Sequence, residues 1–457
     1  MGEKQTKVKL EEMKALPTWK KLAYGLGNAG NCFIWVAISS FILIYCTNII
    51  GIGAGLVGTL LMVAKVFDGI TDIFMGRIID VTKSRLGKAR FWYFVSCLPL
   101  GICMYLIFNV PGKFSGTAKY TYVFVLYLLI SAVFYTMNTV AYNMLVARVT
   151  KKQNDQVTMS SSSMVFGMVG SVFVASATPG FVEKFGGGQT GWHYVALMYS
   201  IIGVCILLIP FFTLKELPEE EFMESNLESS EKISFIQTLL ELLKNKYFIL
   251  ILLLYLAGYT NAGIVQTIGI YFTTYVLNNA SLLGILGLCS TIPMILGMPF
   301  VPKFISKFGM RKGCMIGNVV TLAGCAVAIL GNFAGFPVLL AGLLIKGVGS
   351  LPGSATYTPF IVKADEYHYL KTGHRVTGSM FSCSTVGTKV GMGIGTALCG
   401  WLLEWSKFDG AAKSQTTLAG NVIIILYLVA PFALTIITGL IYHSMKVEDE
   451  VQAMSSK

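Results

Sequence analysis

Lys65, Asp68, Thr71 and Asp72 lie in the run KVFDGITDIFMGRIID, residues 65–80, directly after the apolar, glycine-rich stretch GAGLVGTLLMVA. At about 100° of helix per residue, Lys65, Asp68 and Asp72 share one stripe, with Thr71 beside it. A lone carboxylate or ammonium at the centre of a hydrocarbon layer costs on the order of 2.5–3.5 kcal/mol on insertion scales, so a charge kept there faces a cavity or a partner. Two carboxylates one turn apart repel, so either one holds a proton or a cation sits between them. Asp68, Asp72 and a hydroxyl offer the oxygen ligands that small hard cations prefer, and the same pair can carry H+. A plainer arrangement is an ion pair from Lys65 to Asp68, which leaves Asp72 unexplained. Lys389, in STVGTKVGMGIGTAL, is a second deep cation that can pair with either aspartate across the molecule.

The elements that must position these groups are membrane helices. The chain has 457 residues, 54% hydrophobic and 13% charged, with a mean hydropathy of +0.67; a soluble chain is about a quarter charged. Hydropathy predicts twelve spans, at 22–49, 53–79, 91–110, 120–149, 157–181, 192–214, 247–276, 281–302, 312–332, 336–358, 376–403 and 419–443. The first is too long for a cleavable signal peptide and lacks an A-x-A site. With this layout 26 of the 35 Lys and Arg fall on the side of the termini, five on the other and four inside spans. That asymmetry predicts both termini in the cytoplasm. It also accounts for the net charge of +12 without nucleic-acid binding.

The fold class expected is therefore all-α and membrane-embedded, in two six-helix halves at 22–214 and 247–443. Tails at 1–21 and 444–457 and an acidic central loop at 215–246, containing KELPEEEFMESNLESSEKISF, complete the chain. The turns GRIIDVTKSRLGKAR and VPKFISKFGMRKG stand at matching places in the two halves. Parallel six-helix repeats of this kind form the major facilitator arrangement, with the site between them near the midplane. All ten cysteines lie in or at the ends of spans, with no CxxC or His/Cys cluster, so no disulfide and no metal site beyond a bound Na+ is expected. No Walker motif and no nucleophile–base grouping appears, which excludes an ATP-driven engine and an enzyme.

Uncharged polar residues mark a second set of positions. Span 4 carries YTMNTVAYN, with Tyr135, Thr136, Asn138, Thr139, Tyr142 and Asn143; span 1 carries YGLGNAGNCF, with Asn28, Asn31 and Cys32; span 7 carries YTNAGIVQT. Singly, such residues often bond one helix to the next. Together, hydroxyls, amides and aromatic rings are what a sugar-sized ligand needs.

The run from YGLGNAGNCF through FDGITD to SRLGKAR resembles the bacterial glycoside–pentoside–hexuronide:cation symporters, the melibiose and glucuronide carriers of the major facilitator superfamily. YTMNTVAYNMLV, DEYHYLKTGHRVTGSMFS and STVGTKVG extend the resemblance over both halves. It implies cation-coupled transport by alternating access, with Asp68, Thr71, Asp72 and Thr136 as the cation site and Lys389 as the family's span-11 lysine. Melibiose carriers have asparagine where this chain has Thr71. They also have sugar-binding aspartates where it has Cys32 and Thr139, a lysine at Asn31, a tryptophan at Asn143 and an arginine near Ser163. The glucuronide branch is the nearer comparison.

The resulting expectation is symport of a glycoside or related sugar with Na+ or H+, without a cofactor, by a monomer in the cell membrane among its lipids. Asn28, Asn31, Cys32, Thr139, Tyr142, Asn143 and Ser163 contribute to the substrate pocket, and Lys389 and Lys65 link the halves. Arg85, Lys88, Arg90 and Arg311 latch the cytoplasmic side, or serve as an orientation signal alone. The alternatives are a uniporter, a cation-coupled carrier of a non-sugar or amphiphilic solute, and a non-transporting nutrient sensor.

Overall fold

The computed structural model describes residues 16–150, 152–217, 244–373, 377–412 and 415–455. Among them all regular structure is helical, and twelve helices are long and apolar enough to cross a bilayer. In chain order these are α1 (Thr18–Ile50), α2 (Ala54–Val81), α3 (Lys88–Ile107) and α4, which runs from Gly116–Leu128 through a wide turn into Thr136–Val149. Then come α5 (Gln153–Lys184), α6 (Gly188–Thr213), α7 (Lys246–Val276) and α8 (Leu282–Phe308). The last are α9 (Met310–Ala334), α10 (Phe336–Thr372), α11 (Thr377–Trp405) and α12, which joins Thr417–Ile424 to Ala430–Ser444. Twelve crossings return the chain to the face on which it began, here called the terminal face; the other is the far face. Most of the central segment 215–246 and of the N-terminal tail lies outside the described residues.

Several boundaries differ from those expected by four residues or more. Pro17 starts α1 at Thr18, because its fixed φ (−56°) and missing N–H suit the residue before a helix. α10 continues past 358 to Thr372, 37 residues in all, because KADEYHYLKT keeps good helix formers until Gly373 turns left-handed (φ 78°). Within the tail, Val447–Ser455 forms a further helix, α13.

α13 completes a structural repeat. In the first half Gly87 (φ 102°) turns the chain into α3, and Glu216, just past α6, accepts from Lys88 N (3.0 Å) and Arg90 N (2.6 Å). The Arg90 guanidinium in turn donates to Phe211 O near the end of α6, at 2.9 and 2.7 Å. In the second half Gly309 (φ 79°) turns into α9, and Glu448 of α13 accepts from Met310 N (3.2 Å) and Arg311 N (3.0 Å). Arg311 Nη2 donates to His443 O at the end of α12, 2.6 Å away. Each clamp satisfies orphan N–H groups of one helix and an orphan carbonyl of another with a single acid and a single arginine.

The halves meet chiefly along α2 and α11, and the glycines on one stripe of α2 measure how tightly. A Cβ built on Gly55 would run into Glu404, and one on Gly58 would lie 3.1 Å from Gly400 Cα. A Cβ on Gly69 would come only within 4.0 Å of Lys389 Cβ, and one on Gly76 would meet nothing within 4 Å. The seam is closed at the far face and parts toward the terminal face. Three further bonds on the far side cross between α1 and α7: Thr47 Oγ1 with Tyr271 OH (3.0 Å), Asn48 Nδ2 to Tyr275 OH (2.5 Å) and Gln266 Nε2 to Ser39 Oγ (2.8 Å).

Candidate cation and substrate site

Asp68 lies about 21 Å along α2 from Ala54, at the helical rise of 1.5 Å per residue, and is 1% exposed. Its two oxygens are fully engaged. Oδ1 accepts from Thr136 Oγ1 at 2.6 Å and from Lys389 Nζ at 2.7 Å; Oδ2 accepts from Lys65 Nζ at 3.3 Å. Lys389 Nζ also reaches Asp72 Oδ2 at 2.5 Å, while Asp72 Oδ1 is buried without a hydrogen-bond partner. Two ammonium groups thus balance two carboxylates. The repulsion between the aspartates is relieved by a lysine of the other half, a solution beyond the proton or bound cation expected between them, and the Lys65–Asp68 pair forms as well.

Local backbone explains why Thr136 arrives at this spot. The wide turn at Leu129–Tyr135 inserts extra residues into α4 just before Thr136, re-aiming the helix as such turns do at functional sites. Thr71 meanwhile donates to Asp68 O (3.1 Å). Two residues beyond the predicted set complete the cluster. Lys65 Nζ lies 3.6 Å over the Trp35 ring, and Trp35 stacks on Tyr135 with centroids 4.4 Å apart. Trp35 shares a helical stripe with Asn28 and Ser39, so continuing the α1 pattern beyond Cys32 would have found it.

Among the predicted substrate residues, Asn28, Asn143 and Ser163 line one cavity of about 550 Å³, with Tyr24, Val146, Ser160 and Met164. These residues sit in the part of α1, α4 and α5 nearer the terminal face. The cavity volume falls within the usual range for small-molecule sites, about 300–1,000 Å³. Asn28 Nδ2 donates to Ser163 O (2.9 Å). Tyr142 is buried and stacked on Tyr24 (4.2 Å), with its hydroxyl bonded to Tyr24 O (2.6 Å) and Ser163 Oγ (3.0 Å). Cys32 is turned into α5, against Gly167 O (3.2 Å) and Ser171 Oγ (3.3 Å). Thr139 bonds back to Tyr135 O (2.8 Å), and Asn31 is buried with Oδ1 unpartnered. Asn28, Asn143 and Ser163 therefore come together at the cavity, while Cys32 and Tyr142 tie α1 to its neighbours.

Of the basic residues expected to latch the halves, Arg90 and Arg311 each bond within their own half, as described above. Arg85 and Lys88 line a cavity of about 330 Å³ beside Arg148, Lys215 and Glu216, all in the first half.

The family model described as MFS/sugar transport protein matches residues 23–449. The chain belongs to that family. The isoprimeverose transporter of Lactiplantibacillus pentosus is 26% identical to this MFS sugar-transport protein, over 96% of its chain and 91% of the relative's. The glucuronide carrier protein homolog of Escherichia coli (strain K12) is 24% identical, over 86% and 84%. In three dimensions the bacterial homolog of the lysosomal transporter Spinster, solved in an inward-facing and occupied conformation, superposes with a TM-score of 0.67 at 12% identity, over 95% and 97%. The nucleoside transporter NupG gives 0.64 at 14%, over 93% and 98%. This MFS sugar-transport protein is accordingly a multi-pass membrane transporter of the major facilitator fold, and not an enzyme.

Proposed function

We propose that this transporter couples entry of an uncharged glycoside to Na+ or H+, with Asp68 and Asp72 as the ion-carrying pair. The observation that carries the reading is Lys389, an ammonium from the second half bonded to both carboxylates of the first. A coupling ion binds the same oxygens, assisted by the Thr136 hydroxyl, with Thr71 beside them, so it enters as Lys389 leaves. Ion binding is then linked to how the halves stand relative to each other, which is the requirement for symport.

The charge asymmetry of the loops supports a cytoplasmic terminal face. With that orientation, the seam that parts toward the terminal face corresponds to an inward-open state, and the Asn28–Asn143–Ser163 cavity to a site emptying into the cell. No lysine or arginine lines the cavity among the described residues. A uronate carboxylate therefore has no partner there, and neutral glycosides such as isoprimeverose are the favoured cargo. The protein acts as a monomer in the lipid bilayer.

Counterflow of labelled isoprimeverose, other neutral glycosides and a glucuronide in proteoliposomes, under separate Na+ and pH gradients, tests this. Neutral glycosides should be taken up and driven by one gradient. Uptake indifferent to both gradients would sink the symport reading, and preference for the glucuronide would overturn the substrate class. Asp72→Asn should retain counterflow exchange but lose accumulation against a gradient; accumulation at the parent level would remove Asp72 from the ion site.

A further inference from the structure

We infer that Glu404 is the far-side lock of the transport cycle: a carboxylate of α11 that caps the N-terminus of α2 only while the two halves are closed on that face. The α2 helix starts without a cap of its own, since Gly53 at the N-cap position offers no side chain. The N–H groups of a first helical turn need acceptors. One is supplied from the other half of the molecule, where Glu404 Oε2 accepts from Gly55 N. The carboxylate also sits at the positive end of the α2 dipole, which favours a negative charge. Gly55 must be glycine for this approach, because a Cβ there would occupy the place of the carboxylate. One turn deeper, Trp401 Nε1 donates to Thr59 Oγ1 at 2.7 Å, a second bond between the same two helices.

Glu404 stands 15 residues beyond Lys389 on α11, and Gly55 stands 13 residues before Asp68 on α2. At 1.5 Å per residue both separations are about 20 Å. One helix pair therefore carries two charged ties, an inner one at the ion cluster and an outer one at the far surface. The inner tie competes with the coupling ion. The outer one depends only on whether the far face is shut, because both partners return to water when the halves separate there. Its free energy belongs wholly to the far-closed state, so Glu404 sets the balance between the two ends of the cycle. The lock requires alternating access alone and is independent of which sugar or ion is carried.

The test reads access from the far face. A cysteine placed at Ser39, which lies behind the Thr47–Tyr271 and Asn48–Tyr275 bonds and is itself the acceptor from Gln266, is alkylated with a membrane-impermeant maleimide added on that face. The Ser39→Cys protein alone is the baseline, and labelling of the parent chain is subtracted. Glu404→Ala in the Ser39→Cys protein should accelerate labelling roughly three- to thirtyfold, the factor that losing a helix cap represents. A cysteine at Ser160, on the cavity, should label more slowly from the terminal face in the same variant. Gly55→Ala displaces the carboxylate without removing it and should shift both rates in the same directions, so it decides the matter if Glu404→Ala fails to fold. Unchanged labelling at Ser39 in a monodisperse variant, or changes of one sign at both faces, would overturn the lock.

Discussion

Asp68, 1% exposed in the middle of a bilayer, survives because three donors converge on it, two of them cationic. Removing one member of such a buried pair leaves an uncompensated charge and costs about 3–5 kcal/mol, whereas removing both leaves a neutral site. Lys65→Met alone should therefore lower the yield of folded protein and its melting temperature in detergent. Asp68→Asn/Lys65→Met should recover much of that loss, while the proposed role of Asp68 in ion binding predicts that transport stays abolished. A double variant no more stable than the worse single one would mean that Lys65 is not held by Asp68. The two aspartates, Lys65 and Lys389 were legible in the sequence, since charges inside an apolar run stand out against their background, whereas Thr136 was singled out for this site by the family resemblance. Trp35 did not stand out, because an aromatic residue in an apolar helix carries little such contrast, although it continues the stripe of Asn28. Only the distance from Lys65 to the Trp35 ring reveals the contact.

At the scale of elements, the basic turns after α2 and α8 read differently once their partners are visible. Lysines and arginines on the terminal face suggested a latch between halves. The acids that receive the backbone N–H groups, Glu216 and Glu448, lie in segments far along the chain, where a sequence pattern cannot pair them with a helix start. In each half the arginine grips a carbonyl near the end of its sixth helix, so each half is braced as a body. Loss of a carboxylate cap costs about 0.5–2 kcal/mol. Glu216→Ala and Glu448→Ala should each lower the thermal midpoint by similar amounts, and their effects should add, because the two clamps share no residue. Differential scanning fluorimetry of the singles and the double checks this. A strongly non-additive result would indicate that the clamps meet across the halves after all. The same reasoning explains α13: the tail after α12 is helical because Glu448 is needed at the start of α9 and Glu450 reaches Lys246 at the start of α7 (2.7 Å).

For the molecule as a whole, α2 meets α11 along four glycines on one stripe. Gly55 and Gly58 are pressed against α11, Gly69 is in ordinary contact range, and Gly76 faces open space. If the halves rock about the midplane, closing one face as the other opens, the tight and open ends of this row exchange roles. A large side chain then acts as a wedge whose effect depends on which end it occupies. Gly58→Leu has no room beside Gly400 and Ala397, whose atoms lie 3.1–3.2 Å from the added Cβ. It should hold the far face open, keeping sugar binding within about threefold while cutting counterflow at least tenfold, since each 1.4 kcal/mol of bias toward one state is a factor of ten. Gly76→Leu fits the present state without contact and obstructs closure of the terminal face instead, so it should trap the opposite form. Isoprimeverose binding in vesicles of the two orientations separates the variants, or that of whichever neutral glycoside the counterflow panel selects. Gly58→Leu should bind from the far face and Gly76→Leu from the terminal face. Binding of both variants from the same side would show that α2 does not rock against α11, and that the graded seam is only a tilt between two fixed helices.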